Sequence, residues 1–138
     1  MSKERFVHYA VGDAHFDESH WKLFVQMNEI IAELRANNYN SASDKIVVLL
    51  VELTEHINEE QKIMQQVNYP FATEYVRARN IMVSEISGMH QMIAIKKQIS
   101  ESKISRLEDM LVKHIDMYDL PLFEFVRKIQ HENNNISR

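Results

Sequence analysis

Residues that interrupt helices are scarce in this chain, which has only two glycines and two prolines among 138 residues. All-β folds need many more turn residues of this kind. Leu, Ile, Met, Glu, Lys and Gln, which favour helices, are frequent. The sequence therefore predicts an all-α protein. Because no repeat or linker divides the chain, residues 1–138 are expected to form a single domain.

Apolar residues recur at helical spacing in four long segments. Short connections between such segments predict antiparallel neighbours, and hence an up-down-up-down four-helix bundle. The helix boundaries are expected at Asp17 as the first N-cap, Asn37-Asn38, Ser41 or Ser43, Asn68-Tyr69-Pro70, Thr73, residues 100–102 and Pro121.

The two ends of the chain are predicted to lie outside this bundle. Residues 1–16 are expected to form an extended arm, with Phe6, Tyr9 and Phe16 available to pack against the bundle. Residues 122–130 predict a short terminal helix, and residues 132–138 a polar tail.

Charge and cysteine content limit the classes of function. A formal net charge of -4, with scattered basic residues, gives no surface for nucleic acid. The absence of cysteine excludes disulfides, thiolate zinc sites and iron–sulfur clusters, so a metal would need His and carboxylate ligands. No apolar run is long enough to span a membrane, and the N-terminus lacks a signal-peptide pattern. We therefore expect a cytoplasmic protein.

Five polar residues interrupt the apolar stripes where helical spacing requires core residues. They are His20, His56, Glu60, Arg79 and His114. A buried charge costs several kcal/mol unless it is paired or coordinated, so these intrusions need a common explanation. In an antiparallel bundle, the starts of the first and third helices lie level with the ends of the second and fourth. All five residues, together with Tyr75 and Asp119, are then expected at one end of the core.

The spacing of these residues suits a metal ion. His56 and Glu60 are four residues apart, so both side chains leave successive turns of a helix in the same direction. His114 and Asp119 are five apart, which predicts a loosened turn ahead of Pro121 if both reach one ion. Imidazole and carboxylate ligands suit iron, manganese or zinc.

The same residues resemble the motifs of the hemerythrin family, especially its bacterial single-domain members. The segment 11–24 is similar to the family's first-helix entry, with His20 at a ligand position. His56 and Glu60 match its H-x-x-x-E, with the Tyr69-Pro70 turn following, and His114 and Asp119 match its H-x-x-x-x-D. The resemblance implies an iron protein that binds dioxygen, with two irons bridged by the Glu and the Asp.

This chain departs from the family pattern on the third helix. Two His ligands four residues apart are expected there, and Tyr75 and Arg79 stand at those positions. We therefore predict a mononuclear iron site with His20, His56, Glu60 and Asp119, with His114 either joining it or hydrogen-bonding at its edge. Arg79 is predicted to replace the second ion by clamping Glu60 or Asp119.

Several functions remain open at this point. A single iron lacks the second electron source of the family's oxygen carriers, so the favoured role is dioxygen or nitric oxide binding, sensing or redox response. One alternative keeps two irons, with Tyr75 as a ligand. Another is a metal-free bundle that acts as a protein interaction module, through the segment 92–99, with a partner or a second copy. An enzyme is less favoured, because no loop is long enough to suggest a lid.

Overall fold

The computed structural model describes residues 1–136 and shows an all-helical protein. No β-strand occurs within those residues. A 3-10 turn at Val7–Tyr9 and a π-helical turn at Ile115–Asp119 supplement six α-helices. The helices are α1 (Lys3–Phe6), α2 (Ala14–Arg35), α3 (Tyr39–Gln66), α4 (Ala72–Lys96), α5 (Glu101–His114) and α6 (Leu120–Ile136).

The N-terminal segment is not the extended arm that we predicted. It contains α1 and the 3-10 turn, and its last three residues already belong to α2. The Phe6 ring is buried and lies 5.4 Å from the Trp21 ring and 4.9 Å from the Phe24 ring, measured between centroids. This aromatic contact holds the segment against α2, as we predicted for Phe6.

Helix α2 begins earlier than predicted, because Asp13 rather than Asp17 is its N-cap. The Asp13 carboxylate accepts a hydrogen bond from the backbone N–H of Phe16 at 3.1 Å. Asp17 instead accepts one from the N–H of Val11 at 2.7 Å. Asp17 therefore holds the incoming chain against the first turn of α2, which orients the helix that carries His20.

Residues in the left-handed conformation follow three helices. Asn37 (φ 59°), Asn68 (φ 50°) and Lys97 (φ 48°) come after α2, α3 and α4. Asparagine tolerates this conformation better than most residues, so the predicted breaks at Asn37 and Asn68 are confirmed. Helix α3 starts at Tyr39, ahead of the predicted serines, and α4 ends before Ser100. Ser100 is instead the N-cap of α5.

Five helices pack against one another around one core. Helix α2 contacts α3 and α5, α4 contacts the same two helices, and α6 packs against the π-helical turn. The predicted apolar stripes face this core, where Leu23, Leu53, Ile86 and Leu107 are buried. None of the helices within residues 1–136 is long and apolar enough to cross a membrane.

The C-terminal region differs most from the prediction. Helix α6 runs from Leu120 to Ile136, which is longer than the predicted 122–130. Pro121 lies in the first turn of α6, which continues directly from the π-helical turn, so the proline does not end the helical path as we predicted. Residues 132–136 of the predicted polar tail are helical, and residues 137–138 lie outside the described part of the chain.

The contact of the N-terminal segment with α2 predicts a stability effect. Replacing Phe6 with Ala removes a buried ring and should lower the free energy of unfolding by about 3 kcal/mol. Its neighbour Val7 is 63% exposed, so Val7→Ala should change stability by less than about 0.5 kcal/mol. Urea unfolding checks both variants, and equal effects would show that the segment does not pack as described.

Candidate metal centre

Four buried side chains from three elements meet in the core. Each offers one ligand atom, and these atoms all lie within 4.8 Å of one another. All four residues are at most 5% exposed. They are His20 of α2, His56 and Glu60 of α3, and Asp119 of the π-helical turn. This group can hold a metal ion, and it is the same set that the sequence predicted for a mononuclear site.

Local helix geometry explains how these residues converge. His20 lies on the buried face of α2, and the four-residue spacing of His56 and Glu60 places both on one face of α3. A π-helical turn closes with i→i+5 hydrogen bonds, so residues five apart are brought closer to one face than in an α-helix. The Nε2 of His114 and the Oδ1 of Asp119 are thus 3.6 Å apart. The loosened turn predicted ahead of Pro121 is confirmed.

The imidazole nitrogens contact carboxylates without forming hydrogen bonds. The His20 Nε2 lies 3.1 Å from the Asp119 Oδ2, and the His56 Nε2 lies close to the Glu60 Oε1. Yet neither nitrogen has a partner in hydrogen-bond geometry. Two ligands of one ion at about 2.1 Å, separated by roughly 90° to 110°, lie about 3.0 to 3.4 Å apart and aim at the ion rather than at each other. The arrangement therefore fits a shared cation.

The Tyr75 hydroxyl joins the two carboxylates. Its oxygen lies 2.5 Å from the Asp119 Oδ1 and also contacts the Glu60 Oε2. A phenol has one proton, so it can donate to only one of these oxygens at a time. Two carboxylates and a phenol at 1% exposure therefore need a further positive charge or a further proton between them.

In the metal-free core, the pKa shifts of Glu60 and Asp119 also indicate that the two carboxylates need a proton or a positive charge between them. Burial, and then the charge of Asp119, raise the pKa of Glu60 well above its usual range. Burial would also raise the pKa of Asp119, but the adjoining His20 and His114 lower it below its usual range. In this state Asp119 is the carboxylate and Glu60 is the carboxylic acid. A bound cation would displace the proton from Glu60.

The His56 imidazole and the Tyr75 phenol stay neutral in this environment. Burial, together with the charge of His20, lowers the pKa of His56 to about 3. A neutral imidazole is the form that binds a metal. Burial and the two carboxylates raise the pKa of Tyr75 well above its usual value, so the phenol is a hydrogen-bond donor rather than a phenolate.

His114 lies beside the four-residue group rather than within it. Its ring packs edge-on to Tyr75, with centroids 5.5 Å apart, and 5.3 Å from the ring of Tyr118. Burial lowers the pKa of His114, so it too is neutral. His114 is not among the four residues whose ligand atoms converge, and its Nε2 lies 3.6 Å from the Asp119 Oδ1, at the edge of the group and without the predicted hydrogen bond.

Arg79 does not form the clamp that we predicted. Its Nη2 donates to the Oε1 of Gln61 at 2.8 Å, and no carboxylate of the described residues lies within 4.0 Å of its guanidinium. The positive charge of Arg79 still lowers the pKa of Glu60, although burial raises that pKa by more. The same charge also lowers the pKa of His114. The prediction was wrong because helical spacing gives the height of a long side chain but not its direction.

Sequence reasoning missed one residue that contacts the site. The Ser19 hydroxyl lies 2.8 Å from the Nδ1 of His56, on the side of the ring opposite to Glu60. When the Nδ1 carries the proton, it donates to Ser19, and the Nε2 is left free to bind a cation. No sequence signal links two residues 37 positions apart. His15 and His90 lie elsewhere, against Glu59 and Ser43.

A cavity of about 590 Å³ lies between α4 and α5, and His114 and Tyr118 form part of its wall. His114 therefore borders both this cavity and the four-residue group, with its Nε2 3.6 Å from the Asp119 Oδ1. Its remaining lining combines apolar residues such as Ile81 and Met82 with charged residues such as Glu85 and Arg106. A small molecule entering here reaches His114 without opening a helix.

Comparison with protein-family models, curated proteins and solved structures finds no match to this chain.

The raised pKa of Glu60 predicts a pH-dependent gain from Glu60→Gln in the metal-free protein. The folded protein keeps the Glu60 proton above pH 4.5, where the unfolded chain releases it. The folded state therefore binds one more proton than the unfolded chain above that pH. As a result, the free energy of unfolding falls as pH rises, by up to about 1.4 kcal/mol per pH unit. The amide that replaces this carboxyl does not titrate, so the variant has no such dependence. Urea unfolding of chelator-treated protein should show an advantage of Glu60→Gln that grows from pH 4.5 to 7.

The exposed residue Glu55 on the same helix provides the matched control. Glu55→Gln should leave stability within about 0.5 kcal/mol of the parent protein at every pH. A Glu60→Gln variant that is less stable than the parent at pH 7, or whose advantage does not vary with pH, would contradict the assignment of the proton to Glu60.

Proposed function

We propose that this chain is a hemerythrin-like non-heme iron protein that holds one iron at His20, His56, Glu60 and Asp119. The observation that carries the proposal is the set of buried imidazole nitrogens that touch carboxylates without hydrogen-bonding to them. Each buried unpartnered nitrogen costs about 1–3 kcal/mol. A bound cation removes that cost and neutralises the two carboxylates.

The likeness to hemerythrins supports the choice of iron and a more detailed account of the fold. Four of the five residues that match the family motifs are also the residues that meet in the core, and the fifth, His114, lies beside them. Mutual contacts among α2, α3, α4 and α5 are those expected of an antiparallel up-down-up-down four-helix bundle. Two imidazoles with carboxylates also suit manganese and zinc, so the resemblance is what favours iron.

The residues of α4 support one ion rather than two. Tyr75 stands where a second ion would need an imidazole, and its hydroxyl already contacts both carboxylates. Its raised pKa favours the neutral phenol, which disfavours the alternative of two irons with a Tyr75 phenolate. Arg79 adds a positive charge near the same position, which repels a second cation.

In this proposal the protein binds dioxygen or nitric oxide and responds to the ligand or to redox state, in the cytoplasm. A ferrous ion supplies one electron and an open coordination position. The chain's own residues exclude water, hold His56 through Ser19, and keep the Tyr75 proton beside Asp119. The cavity between α4 and α5 provides a route for a small ligand to His114.

A metal-free interaction module is the second candidate function. One observation favours it: the Tyr75 hydroxyl and the proton on Glu60 together satisfy the carboxylates in the absence of a cation. Ile95 of α4 is 81% exposed and is the apolar residue that a partner would cover. Purified protein that binds no metal under any condition would leave this candidate in place.

Restoring imidazoles on α4 tests the count of metal ions. The double variant Tyr75→His, Arg79→His should raise bound iron from about one toward two per chain, because it supplies two ligands and removes a repelling charge. Iron per chain is measured on anaerobically purified protein, together with the visible spectrum, in which an oxo-bridged pair absorbs.

The matched control places the same pair of residues on the exposed side of α4. Thr73 and Arg77 are exposed and also four residues apart, so Thr73→His, Arg77→His should leave one iron per chain. If the parent protein already holds two irons, or if both double variants gain iron equally, the mononuclear proposal fails.

A further inference from the structure

Arg79 contributes a positive charge to a pocket between α3 and α4 that contains no acidic side chain. The pocket has a volume of about 360 Å³. Its lining consists of Thr54, Ile57, Arg79, Asn80, Val83 and Ser84. The pocket is separate from the cavity beside His114, with which it shares no lining residue. Arg79 is therefore the single charged group that residues 1–136 contribute to this lining.

The guanidinium of Arg79 has few partners in the protein. Arginine carries five N–H donors in a rigid fork, and here one nitrogen donates to the neutral amide of Gln61 at 2.8 Å. The Nη1 is buried and has no hydrogen-bond partner. By contrast, Arg35 and Arg106 both pair with carboxylates on the surface. Arg79 is thus a half-buried cation whose donors are not matched by acceptors.

The remaining lining suits an anion. Asn80 and Ser84 are exposed and supply an amide and a hydroxyl, while the Thr54 hydroxyl already donates to the Leu50 carbonyl. Ile57 and Val83 form the apolar part of the wall, which strengthens electrostatic attraction by lowering the local dielectric constant. We propose that Arg79, Asn80 and Ser84 form a binding site for a small oxyanion, which exchanges the Gln61 contact for the guanidinium fork.

Carboxylates and phosphates share the chemistry that this site would recognise. Both present two or more oxygens that match the planar fork of arginine. The volume admits inorganic phosphate or a short organic carboxylate, but not a large cofactor. Acetate, succinate and phosphate therefore serve as separate probes, and their order of affinity identifies the class of ligand.

The site lies close enough to the metal centre to influence it. The Arg79 guanidinium contacts Gln61, the residue after Glu60, and its charge lowers the pKa of Glu60, so a bound anion would cancel a charge that opposes a metal cation. Anion and metal should then each strengthen the binding of the other by the same factor, of about two- to tenfold. This coupling rests on the proposed metal site, whereas the anion site itself does not.

The test uses the metal-free protein, so its outcome is independent of the metal proposal. Nitrogen-15 NMR follows the Nε–H resonance of Arg79 during titration with each probe, at constant ionic strength kept by sodium chloride. We expect a saturable shift of one resonance, which disappears in Arg79→Gln. Arg79→Lys keeps the charge but loses the fork and should bind about tenfold more weakly or worse. Ser84→Asp should abolish binding and leave Arg79 in place.

Matched controls separate this site from its surroundings. Arg77 is an exposed cation on the same helix and lines a neighbouring groove, which shares Asn80 and Ser84 with the proposed site. Arg77→Gln should leave probe affinity unchanged, and a loss of binding there would move the anion to that groove and overturn the proposal. A shift that never saturates, or that chloride reproduces, would also overturn it. Melting temperatures of the variants show that any loss of binding does not come from unfolding.

Discussion

Two buried carboxylates that face one tyrosine hydroxyl constrain the rest of this structure. Glu60 and Asp119 are each 1% exposed, and the Tyr75 oxygen lies between them. Coulomb repulsion in a medium of low dielectric constant prevents both from being ionised without a compensating positive charge. The metal-free protein meets this constraint with a proton on Glu60. A cation would meet it more completely, because it would also engage the unpartnered nitrogens of His20 and His56.

Two different helical geometries bring the side chains of the four-residue group together. Helix α3 uses the ordinary four-residue spacing to align His56 with Glu60, whereas the chain after α5 adopts a π-helical turn to bring Asp119 inward. π-helical turns are rare and occur frequently at functional sites. Here the turn brings the buried Asp119 carboxylate to the other three residues of the group.

Much of this could be predicted from the sequence, because helical periodicity reveals polar residues on an apolar stripe. His20, His56 and Glu60 are identified in this way, and the spacing from His114 to Asp119 predicted the loosened turn on the condition that both residues reach one site. The direction of a long, flexible side chain cannot be read in this way. Arg79 was expected to clamp a carboxylate and instead contacts Gln61. Helix ends were also misplaced where a cap competes with a nearby alternative, as in α2, or where proline is accommodated in a first turn, as in α6.

The central claim is that His20, His56, Glu60 and Asp119 surround a single metal ion. X-ray absorption spectroscopy at the iron edge of the iron-loaded protein tests it most directly, because it counts imidazole ligands and detects a second metal nearby. The account predicts scattering from two imidazole rings per iron and no iron–iron distance. An iron–iron distance of about 3.5 to 4 Å, or a shell without imidazole, would contradict it.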